Sequence, residues 1–223
     1  MKMICLLAVM SLLACKAAAQ GFIVLELFTS EGCSGCPPAE ELLAKLPPDK
    51  QVYILEYHVD YWDRLGWKDP FSSHQFSERQ YQYSQFLSCQ VYTPQLVMNG
   101  TSECIGSDAA TVSSAINAAL SKPAKATLHV QGWIHGNKLR VSQKNILVAV
   151  VQKQAVTQVK RGENEGRTLS HIQIVRQLHL VKRKEWIALP AGFNTADYEM
   201  IAMSQDPATG EIIAVSGIVP TPI

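Results

Sequence analysis

An apolar run, Phe22 to Phe28, passes through a short turn into Cys33-Ser34-Gly35-Cys36, and Pro37-Pro38 follow at once. Few folds accommodate that order. The run has strand length. Behind the prolines, Ala39, Leu42, Leu43 and Leu46 recur at i, i+3, i+4 and i+7, which predicts a helix with one buried face that ends at Pro47-Pro48-Asp49. Proline is tolerated in a first helical turn because the N–H groups there have no intrahelical partner. Both sulfurs are therefore expected at a helix N-terminus, where the aligned peptide dipoles favour a thiolate. A lone C-x-x-C also suits zinc, but that ion needs two further ligands. No second C-x-x-C and no histidine pair at ligand spacing supplies them.

The rest of the first half alternates element types. Val52 to Val59 is a mostly apolar run that fits a strand buried on both faces and parallel to the first. Ser72-Ser73-His74-Gln75 resembles a capping box opening a helix to about Leu87. Asn99-Gly100 between Gln95-Met98 and Glu103-Ile105 is a hairpin signal. A helix capped by Ser107 or Asp108 runs to Leu120, before Pro123. Beyond Pro123 the texture changes: runs at 126–134, 138–142, 146–152, 172–181, 199–204 and 212–218 alternate apolar and polar residues between turns. They predict antiparallel structure, a small sandwich. The expected fold class is α/β: a mixed central sheet with flanking helices over 20–123, then a β-rich domain over 124–223.

Residues 1–19 read as a secretory signal peptide, with Lys2, an apolar stretch from Met3 to Leu13, and Ala17-Ala18-Ala19 before the cut. Leu12-Leu13-Ala14-Cys15 also fits a lipobox, which would make Cys15 a lipid anchor. Export to the periplasm or cell envelope is expected on either reading. Loss of Lys2 and Lys16 takes the formal charge from +1 to −1, so no nucleic-acid footprint is expected. After the leader no apolar run is long enough for an integral membrane span. Four cysteines remain, an even number that suits an oxidising compartment.

The element order, with C-x-x-C opening the first helix and Thr93-Pro94 leading the hairpin, resembles the thioredoxin fold over about residues 21–122. In that fold this proline is cis and lies against the cysteine pair, which implies a substrate groove at Thr93 and Pro94. The segments Leu25 to Ala39, His58 to Asp63, Gly66 to Phe71, Tyr92 to Gln95 and Gly162 to Leu169 are together similar to a bacterial family of secreted thioredoxin-like proteins, domain of unknown function 1223. The resemblance implies a thiol-disulfide oxidoreductase acting on protein or small thiols of the envelope, without a cofactor. Cys33 at the open edge would be the nucleophile and Cys36 the resolving thiol.

Other residues admit two readings each. Thioredoxin-like enzymes hold a buried acid near the place of Glu26, which would shuttle the proton of Cys36; otherwise Glu26 is a glutamate facing water. His58 is either a satisfied core histidine or, with Cys33 and Cys36, a copper ligand, as in copper carriers of the envelope whose spacing is CxxxC. Cys89 and Cys104 either pair as a structural disulfide or form a second exchanging pair. Tyr61, Trp62 and Trp67 make a wall for a protein substrate or pack the insertion. Gly162 to Leu169 is expected to be a structural loop, with Arg167 and His171 able to face the cysteine half. The remaining alternative is an interaction module with an inert bridge.

Overall fold

A computed structural model describes residues 20–47 and 49–223. The expected leader, with Cys15, lies outside the described residues. The first half contains β1 (Ile23–Thr29), α1 (Pro37–Ala44), β2 (Val52–His58), a 3-10 turn (Asp63–Leu65), α2 (His74–Leu87), β3 (Gln95–Met98), β4 (Ser102–Ile105) and α3 (Ala109–Leu120). The second half is all strand: β5 (Gly132–His135), β6 (Lys138–Val141), β7 (Ile146–Gln158), β8 (Thr168–Val181), β9 (Ile187–Ala188), β10 (Tyr198–Gln205), β11 (Ile212–Gly217) and β12 (Pro220–Pro222).

The protein is a mixed α/β structure with one large mixed sheet and flanking helices. Eight strands lie in the order β11-β10-β7-β8-β2-β1-β3-β4, and a second sheet has the order β12-β5-β6-β9. β2 runs parallel to β1, as its apolar run predicts, whereas β3 runs antiparallel to β1. Asn99 and Gly100 turn the hairpin with φ of 50° and 66°. At Gly100 a side chain is also excluded by space, because a Cβ would sit 2.0 Å from the Gly210 carbonyl oxygen.

The separate sandwich expected after Pro123 needs correction in its strand pairing. β7, β8, β10 and β11 extend the first sheet, and β8 joins it parallel to β2 through Glu56 and Ile174. The reason lies in the alternation of the strands. In β7, Ile146, Val148 and Val150 bury one face while Ala149 and Val151 bury the other, and β10 does the same with Met200 and Ala202 against Ile201 and Met203. Strands apolar on both faces need a covering layer on each side. α2 covers one face through Phe76 and Tyr83, packed with Val24, Phe28, Tyr57 and Val151. On the other face, α1 and α3 cover β1 and β3, and the small sheet covers β7 and β10 through Leu139, Val141 and Ile187. Residues 126–131, expected in a strand, join none. The capping box at α2 is also not made: Ser73 is the cap residue without a side-chain bond, and Ser72 bonds Asp63 instead.

Candidate functional site

Cys33 and Cys36 form a disulfide at the start of α1. Cys36 is the helix cap residue, and its carbonyl accepts the first helical bonds from Ala39 and Glu40. Access is narrower than the sequence suggests: Cys33 is 3% exposed and Cys36 0%, although Ser34 and Gly35 between them face solvent. Across from the bridge, the Thr93-Pro94 bond is cis and the Thr93 carbonyl lies 3.8 Å from Cys33 Sγ. Pro94 Cδ lies 3.8 Å from where a Gly35 Cβ would be, so the proline rests on the cysteine loop. Gly106 fits beside it, since a Cβ there would meet Leu27 at 2.7 Å and Ala39 at 3.0 Å.

The insertion between β2 and α2 supports this corner. Trp62 donates its indole N–H to Thr93 Oγ1 (2.9 Å), Trp67 donates to Glu31 Oε2 (2.6 Å), and the Tyr61 hydroxyl donates to Gln80 Oε1 (3.2 Å). All three aromatic rings are half-buried, and each polar tip is spent on the fold. The loop at 162–167 closes the other side. Asn164 is fully buried and donates to the carbonyls of Glu31 and Cys33, 2.9 Å each. Glu163 accepts from the Ser34 N–H (3.0 Å) and hydroxyl (2.6 Å), and these bonds hold its carboxyl below the usual range. Arg167 serves the loop itself, donating to Asn164 Oδ1 at 2.8 Å.

Glu26 is not beside the cysteines. Strand alternation puts it with Val24 and Phe28 on the face that α2 covers, while α1 packs against Ile23, Leu25 and Leu27. It is fully buried and bound by Arg79, whose Nε and Nη2 donate at 2.5 and 3.0 Å, and by the Tyr83 hydroxyl at 2.5 Å. Burial opposes the Arg79 charge, but the Glu26 carboxylate beside it outweighs burial and holds the guanidinium charged. The buried acids on the α1 face of the sheet are other residues.

On the α1 face, six ionisable side chains meet: Glu31, Glu40, Glu56, His58, Asp69 and His171, all buried. His171 bonds Glu40 through Nδ1 (2.8 Å) and Glu31 through Nε2 (3.1 Å). Burial pulls its pKa down, yet these two hydrogen bonds and the charges of Glu40 and Glu56 push it up to about 10. Glu40 is raised by burial and lowered further by His171, with a net shift downward; the Thr29 hydroxyl donates to its other oxygen. Glu56, raised by burial and by Glu40, sits well above the carboxylate range. His58 Nδ1 bonds Asp69 (2.7 Å), which also accepts the Glu31 N–H (2.8 Å). One donor atom each from Glu40, His58 and His171 falls within 4.8 Å of the others. The sulfurs are not in that group. Charged residues inside β2, a run apolar enough to be buried on both faces, were the available signal for Glu56 and His58.

Cys89 and Cys104 are free thiols, so the expected second disulfide is corrected. Cys104 pairs with Leu96 on the face of α1 and α3, whereas Cys89 accepts from Gln95, one residue earlier and therefore on the α2 face. The sheet separates them. Burial first, then Asp108 and Glu103, push the Cys104 thiol up to about 11.

A family model described as "Protein of unknown function (DUF1223)" matches residues 24–208. The chain belongs to the DUF1223 family. Within solved structures it is similar to protein AGR_C_4864 from Agrobacterium tumefaciens, with 29% identity over 91% of this chain and 95% of that one, and a TM-score of 0.65. It is also similar in fold to HBP35 of Porphyromonas gingivalis, at 14% identity over 91% of this chain and 76% of that one, with a TM-score of 0.59. No curated protein matches it. Among the described residues of this DUF1223 member, no helix is long and apolar enough to cross a membrane.

Proposed function

We propose that this DUF1223 protein is a thioredoxin-like thiol-disulfide oxidoreductase, exported by its leader to act on protein or small thiols of the cell envelope. The observation that carries the reading is the Cys33–Cys36 bridge at the start of α1, with the Thr93 carbonyl 3.8 Å from Cys33 Sγ. A dithiol at a helix start is stabilised as thiolate, and the adjoining proline loop offers backbone groups to an extended peptide. In the reducing direction, the Cys33 thiolate attacks one sulfur of a substrate disulfide and expels the other as thiolate. Cys36 then attacks Cys33 Sγ, releases the second substrate thiolate and closes the bridge, so two electrons pass to the substrate. The oxidising direction is the reverse. Cys33 is assigned the attack because it is the sulfur that faces the Thr93 carbonyl at the N-terminal edge of the motif, with Cys36 behind it as the cap residue of α1.

The test is trapping in an envelope extract. A Cys36→Ser variant is expected to accumulate mixed disulfides through Cys33 that thiols release, and a Cys33→Ser variant to accumulate none. Equal absence of adducts in both variants would overturn the proposal.

A further inference from the structure

We propose that His58, His171 and Glu40, completed by Glu56, bind a divalent transition-metal ion on the α1 face of the sheet. The site uses no sulfur and stands apart from the redox reading. Its donor atoms already converge, with one each from Glu40, His58 and His171 inside 4.8 Å. Each imidazole is also held from behind by a second carboxylate: His58 Nδ1 by Asp69 at 2.7 Å, and His171 Nε2 by Glu31 at 3.1 Å. Carboxylate-backed histidine is how proteins orient imidazole toward a metal. The outer carboxylates are themselves fixed, Asp69 by the Glu31 N–H and Glu31 by Trp67, while Thr29 fixes Glu40. Ligand after ligand thus has its supporting partner.

The second observation is what remains unused. His58 Nε2 and Glu56 Oε1 have no hydrogen-bond partner, although both residues are fully buried. Buried polar atoms without partners are rare, and a bound ion is one thing that satisfies them. Four carboxyls also converge here, and among the described residues their basic partners are His58 and His171, with no lysine or arginine. A metal ion satisfies both orphaned atoms and takes the place of the His171 proton. Ligand atoms around an ion with bonds of about 2.1 Å stand about 3.4 Å apart. The 2.8 Å contact between His171 Nδ1 and Glu40 opens slightly to that spacing as the ion replaces the shared proton. Imidazole with carboxylate selects zinc, iron(II) or manganese over copper(I), which prefers sulfur.

The experiment uses the full-length protein with its bridge intact, purified from cells supplied with Co²⁺ or Zn²⁺ and then desalted. The expected result is about one equivalent of bound ion, with the visible bands of nitrogen- and oxygen-ligated cobalt and no sulfur-to-cobalt charge transfer. Replacing both Cys33 and Cys36 by serine leaves the loading unchanged, and Asp69→Asn weakens the affinity about 10- to 100-fold. Retention of neither ion by the folded wild type overturns the proposal, as does a sulfur band or unchanged binding in a folded His58→Ala variant. Should His58→Ala or Asp69→Asn fail to fold, the stoichiometry and spectrum of the wild type decide alone.

Discussion

Arg79→Met tests whether Glu26 is a structural acid. Glu26 is 0% and Arg79 5% exposed, and the guanidinium makes two bonds to the carboxylate while lying 4.9 Å from the Tyr83 ring centre. Methionine retains the stem but removes the charge, so Glu26 keeps the Tyr83 hydroxyl and loses its counter-ion. Breaking a buried ion pair on one side costs about 3–5 kcal/mol. That is a large fraction of a total stability of about 5–15 kcal/mol. At about 2–4 °C per kcal/mol for a chain of this size, the midpoint of melting falls by about 6–20 °C. The double variant Glu26→Leu/Arg79→Met removes both charges and is expected to recover most of the loss. Urea unfolding of the wild type, both single variants and the double variant measures the coupling. Glu26→Gln should also leave the potential of the Cys33–Cys36 pair unchanged within about 30 mV, because the carboxyl faces away from α1. A loss below about 1 kcal/mol in Arg79→Met, or a double variant no better than the single, refutes the reasoning.

Three further outcomes are expected. Asn164→Ala strands the carbonyls of Glu31 and Cys33, at about 1–3 kcal/mol each, and should lower stability in urea by about 2–6 kcal/mol while exposing the 162–167 loop to hydrogen exchange. An unchanged exchange pattern would count against the loop as a clamp. Gly100→Ala meets both a left-handed φ and a backbone oxygen at 2.0 Å, so it should destabilise by at least about 1–3 kcal/mol in the same assay. Because the Cys104 thiol is pushed up to about 11, it carries at pH 8 about a hundredth of the thiolate of an ordinary cysteine. Its alkylation in the folded protein should be correspondingly slow and should quicken as the pH rises toward 11; fast labelling at pH 8 would contradict this.

The features readable in the sequence are those a short window determines. The strand before Cys33, the helix behind the two prolines and the Asn99-Gly100 turn depend on periodicity and on local φ preferences, and the structure contains all three. Periodicity does not say which sheet edge a strand will join. β8 therefore read as part of a separate unit, although it lies along β2. The same limit left the partners of the site's outer parts unread: the sequence allowed His171 to face the cysteine half, but His171 reaches Glu31 and Glu40 across 140 and 131 residues, and Asn164 reaches Cys33 across 131. Glu26 is a different case. Its side of β1 follows from alternation, but only once α1 is known to cover Leu25 and Leu27, the opposite parity. Cys89 and Cys104 were separated by the same alternation in β3, where Gln95 meets Cys89 and the next residue, Leu96, pairs with Cys104.

The reduction potential of the Cys33–Cys36 pair bears most directly on the central claim. The folded protein is equilibrated in thiol-disulfide buffers of graded potential, alkylated, and weighed by mass spectrometry. The account predicts a reversible two-electron transition between about −120 and −270 mV, the range of exchanging dithiols. A bridge that stays closed below about −300 mV, or opens only when urea unfolds the chain, would identify a structural disulfide and contradict the account.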